Sequence, residues 1–248
     1  MPRATDYLLI DISNSFTKLA FASTRRIQGP LRVATARLTS AYLRRLIARR
    51  PVNRLVVSSV VPARNREIKR AAGGIRIVWL NARSHLGVGI DYPAPATIGA
   101  DRLANAAAVA VLYGVPAIVV DFGTAVTFDI VAADKRYIGG VIAPGLESMT
   151  NFLYQRTALL PKLSLQEPRR AVGKSTIEAM RVGAIYGYRG LVAEIIERIK
   201  GQEFGRRRVR VVATGGYARL IARKLPAIEA VAPNLTLEGL RIVGNLNP

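Results

Sequence analysis

Two rhythms of apolar residues alternate along the chain: short continuous runs, and stretches in which apolar positions recur every three or four residues. Runs of four to eight bounded by turn residues predict buried strands, and the longer spaced pattern predicts amphipathic helices. Tyr7 to Ile12 is such a run. It gives way to Ser13, Asn14 and Ser15, and Phe16 to Ala22 returns, which predicts a hairpin. Thr39 to Arg50 places Leu43, Leu46 and Ile47 on one helical face and arginines on the other. Arg54 to Ser58 predicts a strand, Pro62 to Ala72 a helix with Pro in its first turn, and Ile75 to Leu80 a strand. Asp101 to Tyr113 is an Ala-rich helix stopped by Gly114.

The same alternation continues in the second half. Ala117 to Asp121 and Val126 to Val131 flank a turn at Gly123 and Thr124, and Arg136 to Ile142 is a further strand. Helices are predicted at Leu146 to Arg156 and Ile177 to Lys200. Arg208 to Ala213 is a strand running into Thr214-Gly215-Gly216, where another helix begins. Alternating strands and helices predict an α/β protein. Leu103 to Val120 is the longest apolar stretch, but Asn105, Gly114 and Pro116 divide it into helix, turn and strand rather than a membrane span.

Half of the 248 residues are apolar, enough for one large core or two smaller ones. The absence of cysteine excludes disulfides, zinc-thiolate sites and thiol catalysis, and fits a reducing compartment. His85, the one histidine, lies in a stretch that reads as a surface loop. The opening Met-Pro-Arg-Ala-Thr-Asp lacks the build of an export leader, so a cytoplasmic protein with no membrane association is expected. The net charge of +21 is largely arginine, clustered at Arg44, Arg45, Arg49 and Arg50 and at Arg206, Arg207, Arg208 and Arg210. Such a field attracts anions. With only 6% aromatic residues, none interleaved with the clusters, a nucleic-acid partner is not expected.

One internal echo matters more than any single element. Asp11-Ile-Ser-Asn-Ser-Phe-Thr17 and Asp121-Phe-Gly-Thr-Ala-Val-Thr127 share one plan, 110 residues apart. An apolar strand delivers an Asp, a turn of small residues follows, and a Thr stands six residues after the Asp. The repeat predicts two duplicated halves, residues 1–115 and 116–248, with a ligand cleft between them. Small turn residues let backbone N–H groups approach a phosphate. Ser15, Thr17, Thr124 and Thr127 add hydroxyls, Lys18 adds charge, and an Asp at each strand end has the chemistry to hold a hydrated cation. Taken singly, each hairpin is also an ordinary hydroxyl-rich turn. Ile98-Gly-Ala-Asp-Arg102 is the third feature: Asp101 is either a helix cap or a general base for an attacking alcohol, and Arg102 has the forked geometry for a substrate carboxylate.

These segments together resemble type III pantothenate kinases, members of the acetate and sugar kinase, Hsp70 and actin superfamily. Asp11 to Lys18 looks like the family's first phosphate motif, and Val120 to Asp129 its second. Tyr92-Pro-Ala-Pro with Gly99-Ala-Asp-Arg102 is similar to its pantothenate segment. Val57 to Pro62, Gly139 to Gly145, Ser175-Thr176, Thr214-Gly-Gly216 and Leu235 to Leu240 with Asn245 also match, in order, over nearly the whole chain. The resemblance implies two actin-like (ribonuclease H-like) α/β domains and ATP-dependent phosphorylation of pantothenate, the first step of coenzyme A synthesis.

Residue by residue, the resemblance implies that Asp11, Ile12, Ser13, Asn14, Ser15, Phe16, Thr17, Lys18 and Thr124 bind ATP, with Asp11 holding magnesium through water. Asp121 would bind potassium or ammonium. Tyr92, Gly99, Ala100, Asp101, Arg102 and Thr176 would bind pantothenate, with Asp101 the general base. A homodimer is implied, its substrate site completed across the interface. The family usually has Gly where this chain has Ser13, and often Asn where it has Ser175. An inactive or weakly active relative with a regulatory, nucleic-acid-associated role is the alternative. The presence of Asp11, Asp101, Arg102 and Asp121 together favours the enzyme, and the Tyr92 and Gly-Ala-Asp-Arg segments disfavour another kinase or phosphatase of the superfamily.

Overall fold

A computed structural model describes residues 7–248. The expectation of no export leader at residues 1–6 lies outside the described residues. In chain order the elements are β1 (Tyr7–Ile12), β2 (Phe16–Ala22), β3 (Ile27–Ala34), α1 (Ser40–Ala48), β4 (Arg54–Ser59), α2 (Pro62–Ala72), β5 (Arg76–Trp79), β6 (Gly89–Ile90) and α3 (Ala100–Leu112). They continue with β7 (Ala117–Phe122), β8 (Ala125–Val131), β9 (Arg136–Pro144), α4 (Leu146–Arg156), α5 (Thr176–Ile199), β10 (Arg210–Gly215), α6 (Ala218–Ala222), β11 (Ala230–Val231) and α7 (Leu235–Leu246). The fold is α/β, as the alternation predicts, and the predicted elements are present with their ends displaced by no more than two residues.

Three strands and one helix have no counterpart in the sequence prediction. β3 contains Gly29 and Pro30 and is exposed along its middle, which is how an edge strand is written. β6 and β11 have two residues each, too few for a period. α7 carries a polar stripe, Glu238, Arg241 and Asn245, at helical spacing, but Gly239 and Gly244 stand inside it and weaken the helical signal.

Two sheets organise the chain. One has the order β3-β2-β1-β4-β5, and the other β11-β10-β7-β8-β9-β6. In each, an aspartate-bearing strand pairs in parallel with one neighbour: β1 with β4, and β7 with β10. β1 is buried at all six positions, and β7 at every position but Asp121.

The chain divides into two compact units. The first runs to Val115 and also takes Ile130–Gly139 and Asn234–Pro248; the second holds Pro116–Asp129 and Gly140–Pro233. Within the first, α7 returns to pack on α3. Ala104, Ala106, Ala107 and Ala108 are fully buried there, and small side chains let two helices approach closely. Thr236 Oγ1 donates to Asn105 Oδ1 at 2.9 Å inside this contact. α3 is thereby held along its length, and its N-terminal turn carries Asp101 and Arg102. Among the described residues no helix is long and apolar enough to cross a membrane.

Candidate functional site

The first unit presents the Ser13–Asn14–Ser15 turn at the end of β1. The hairpin register puts Asp11 opposite Lys18 and Ile12 opposite Thr17, and Ser13 N donates to Phe16 O at 3.2 Å. Asp11 and Thr17 are buried, Asn14, Ser15 and Phe16 are exposed, and Arg32 stacks its guanidinium 3.4 Å from the Phe16 ring centre. Thr35, just after β3, holds the turn by its carbonyls. Its N–H donates to Ser15 O at 3.1 Å, and its hydroxyl donates to Ser13 O at 2.7 Å. With that hydrogen used, the 3.0 Å contact between the Thr17 and Thr35 hydroxyls has Thr17 as donor.

Ser13, where the resembled family has Gly, needs no left-handed backbone. Among the described non-glycine residues Lys135 alone has positive φ. The conformational freedom of glycine is therefore not required at this turn.

The same unit carries the Tyr92 and Asp101 segments. β6 pairs in parallel with β9, setting Ile90 beside Tyr137. Asp91 N donates to Tyr137 O at 2.9 Å, so Tyr92 emerges next to the Tyr137 ring, 6.3 Å away and edge-on. Arg102 lies over the other part of this aromatic pair, its guanidinium carbon 5.8 Å from the Tyr137 ring centre. Tyr137 is fully buried while Tyr92 is 38% exposed. The buried ring thus sets the positions of one exposed aromatic and one cation.

Gly99, not Asp101, is the N-cap of α3. Asp101 sits one position inside the helix, half-buried, and its Oδ1 accepts the N–H of Arg102 at 2.9 Å. The cap reading of Asp101 is corrected accordingly: the carboxylate lies in the first turn, where the helix dipole favours the charged form.

The second unit builds its site from three Gly-bearing turns. Gly123 N donates to Ala125 O at 3.0 Å, closing the turn between β7 and β8. Thr124 O then accepts from Gly145 N at 3.1 Å and from Ser148 Oγ at 2.7 Å, which seats this turn on the N-terminus of α4. A side chain at Gly145 would collide with the Thr124 carbonyl oxygen, so only Gly fits there. Gly215, at φ +92°, lies against Asp121; a Cβ would stand 2.6 Å from Asp121 Oδ1. Tyr217 closes the group, donating from its hydroxyl to Glu147 Oε2 at 3.0 Å in the first turn of α4. Thr124, Asp121, Gly215 and the α4 N-terminus are thus brought together, an arrangement that suits an anion at the helix end once a cation stands between it and the Asp121 carboxylate.

Thr176 is exposed at the first position of α5. Ser175 is the N-cap of that helix: its Oγ accepts Glu178 N at 3.3 Å, and Glu178 Oε2 accepts Lys174 N at 2.7 Å. Ser and Asn cap equally well, so the departure at Ser175 leaves the helix start intact. Behind it, Arg189 grips Glu167 with both terminal nitrogens at 3.0 and 2.6 Å and donates to the carbonyls of Leu220 and Ile221. Hydrogen bonds from Arg189, reinforced by Lys224, hold the Glu167 carboxyl down at about 2.

Sequence reading missed Thr35, Tyr137 and Ser148. Each acts across a long chain separation, and none lies in a motif.

The model of the type III pantothenate kinase family matches residues 7–198. A type III pantothenate kinase from Akkermansia muciniphila is 51% identical over 247 residues, covering 97% of this chain and 99% of that protein. One from Methylacidiphilum infernorum is 42% identical over 239 residues, covering 96% and 88%. Among solved structures, a Baf family protein from Campylobacter jejuni superposes with a TM-score of 0.62 at 18% identity, covering 96% of this chain and 97% of that one. An inorganic polyphosphate/ATP-glucomannokinase from Arthrobacter superposes at 0.51 with 14% identity, covering 97% and 99%. At those identities the likeness is one of fold.

Proposed function

The chain belongs to the type III pantothenate kinase family, and from that membership we propose that it transfers the γ-phosphoryl group of ATP to pantothenate, giving 4′-phosphopantothenate for coenzyme A synthesis. The observation that carries the reading is the joint presence of both aspartate turns and the Gly99–Arg102 segment, in a chain 51% identical to a relative of that name over nearly its full length.

The residues divide by role. Asp11 to Lys18 and Thr124 bind the phosphates of ATP. Tyr92, Gly99 to Arg102 and Thr176 bind pantothenate. Arg102 pairs with the pantothenate carboxylate through its planar fork. Asp101 accepts the proton of the pantothenate hydroxyl as that oxygen attacks the γ-phosphorus; the bond to the β-bridging oxygen breaks, and ADP leaves. The Asp101 position supports this, because the carboxylate is half-exposed in a rigidly packed helix and its Oδ1 is oriented by Arg102 N.

Asp11 would hold magnesium through water, and Asp121 a potassium or ammonium ion. The residues fit such groups: beside each aspartate, on the paired strand, lies a buried hydroxyl with no hydrogen-bond partner among the described residues, Ser58 Oγ and Thr214 Oγ1. Bound there, cations supply charge neutralisation to the phosphates.

The second unit supports assembly as a homodimer. Met149, Phe152, Leu153 and Tyr154 of α4, with Leu159, Val172 and Ile177, are 40–90% exposed. Four of these stand on one helix, and exposed apolar side chains concentrated on one element favour an interaction surface. The reaction is assigned to the cytoplasm.

A coupled assay of ADP release, with and without pantothenate, tests the function. ADP release that depends on pantothenate is expected. Equal release in its absence, or none in either case, overturns the reading.

A further inference from the structure

Parallel pairing sets Asp11 opposite Ser58, and Asp121 opposite Thr214. Register partners on adjacent strands share a face of the sheet, with the strands about 4.8 Å apart. Each strand-ending carboxylate therefore has a hydroxyl beside it. The sequences that deliver the two hydroxyls also match in kind. Leu55-Val56-Val57 precedes Ser58, and Val211-Val212-Ala213 precedes Thr214. All of these apolar residues are buried to within 1%.

Ser58 and Thr214 are themselves 0% exposed, and neither Ser58 Oγ nor Thr214 Oγ1 reaches a hydrogen-bond partner among the described residues. Native proteins rarely leave a buried hydroxyl in that state; such a group is met by ordered water, by an ion, or serves the chemistry. A structural role alone would be filled equally well by Ala or Val, which keep the strand and remove the orphan. The same orphan stands at the same register position, beside the same residue type, in two different sheets. The geometry points to one shared purpose.

We propose that Ser58 and Thr214 are equivalent positioning residues: each would hold, through its hydroxyl, a water of the cation bound at its strand end, magnesium beside Asp11 and the monovalent cation beside Asp121. The proposal rests on the function given above and deepens it. Hard cations take oxygen ligands, and magnesium keeps several of its waters. A hydroxyl fixed in an apolar strand donates its hydrogen to, or accepts one from, a water that the neighbouring carboxylate also binds. The carboxylate supplies the charge and the hydroxyl the orientation.

Ser58→Ala and Thr214→Val remove the two hydroxyls at nearly constant volume, and Thr214→Ser keeps one. Two measurements apply to each: calorimetric titration of ADP at varied magnesium and potassium, which needs no turnover, and kcat/KM over the same ranges. Ser58→Ala should raise the magnesium concentration for half-maximal ADP binding about three- to tenfold, the effect of one lost hydrogen bond, and leave potassium dependence unchanged. Thr214→Val should do the reverse, while Thr214→Ser keeps the potassium dependence. Melting temperatures should not fall, because an unpartnered buried hydroxyl is being removed. Unchanged cation dependence in both variants, or an effect on the wrong cation, overturns the proposal. A wild-type chain that binds ADP with magnesium but does not turn over pantothenate would sink the functional reading instead, and the titrations would still decide the roles of Ser58 and Thr214.

Discussion

Thr35 Oγ1 donates to the carbonyl of Ser13 at 2.7 Å, joining the end of the third strand to the first aspartate turn. The same side chain accepts from Thr17, and its backbone N–H reaches Ser15 O. Thr35 is 3% exposed, so bulk water competes only weakly for its side chain. Thr35→Val keeps the shape and loses the hydroxyl. Leaving the Ser13 carbonyl and the Thr17 hydroxyl without that partner costs about 1–3 kcal/mol. The variant should melt lower and need several-fold more ATP, with the pantothenate requirement unchanged. Initial rates with each substrate varied in turn check this; a rise in the pantothenate KM alone would show that the turn does not serve the nucleotide.

Ser13 itself should be nearly neutral. Its backbone is not left-handed, so replacing it by Gly relieves no strain. Ser13→Gly adds freedom to the unfolded chain and is expected to lower stability by about 0.5–1 kcal/mol. The ATP requirement should move by less than about threefold, and the pantothenate requirement should stay fixed. A gain of tenfold or more in ATP affinity would mean that the hydroxymethyl group crowds the phosphates.

The turns were legible in the sequence because their signal is local. Asp11 and Asp121 each lie at the end of an apolar strand, one apolar residue and then small residues follow, and Thr17 and Thr127 stand at one spacing. The helix carrying Asp101 was legible to within one residue for the same reason, and the family resemblance then tied these pieces to one chemistry. What supports them was not legible. Ser58 reads as the end of an apolar strand, and only parallel pairing sets it beside Asp11. Tyr137 is one aromatic in a strand until the two-residue β6 brings Tyr92 to it. Pairing partners are tertiary facts that periodicity along one segment does not encode.

Glu167 makes a prediction about acid. Its carboxyl, held at about 2 by Arg189 and Lys224 against an ordinary value of 4.5, is charged in the folded chain where the unfolded chain would protonate. The stability it contributes is complete above about pH 4.5 and is lost as the pH falls toward 2. Glu167→Gln should flatten stability against pH in that window. Near neutrality the variant leaves Arg189, only 7% exposed, without its carboxylate, at a cost of about 3–5 kcal/mol. Urea melts at pH 3, 4, 5 and 7 test both parts. Parallel but displaced curves would remove the pH-dependent part, and coincident curves would mean that the pair contributes nothing across this range.

Asp101→Asn separates proton acceptance from architecture. The amide oxygen can still accept the N–H of Arg102, which Asp101 Oδ1 accepts at 2.9 Å, and Gly99 remains the cap. The melting temperature should therefore change little. An amide cannot take the proton of the attacking alcohol, so kcat should fall about 10²- to 10⁴-fold, with ATP binding retained. Turnover near the wild-type rate would make the carboxylate a first-turn charge and nothing more.

Arg102 should act on substrate capture. Its guanidinium carbon stands 5.8 Å from the centre of the buried Tyr137 ring, a contact that orients the planar group while leaving it half-buried. A forked pair with the pantothenate carboxylate is worth about 1.5–3 kcal/mol, or about ten- to a hundredfold in affinity. Arg102→Lys keeps the charge but loses both the plane that lies over Tyr137 and the second hydrogen bond. The pantothenate KM should rise by that factor, with kcat lowered less and the ATP KM unmoved. The amide or alcohol analogue of pantothenate, lacking the carboxylate, should show the same KM with wild type and variant, because the fork has nothing to grip. If the variant loses ATP instead, Arg102 belongs to the phosphates; if the analogue still discriminates between the two enzymes, the arginine acts on packing rather than on the carboxylate.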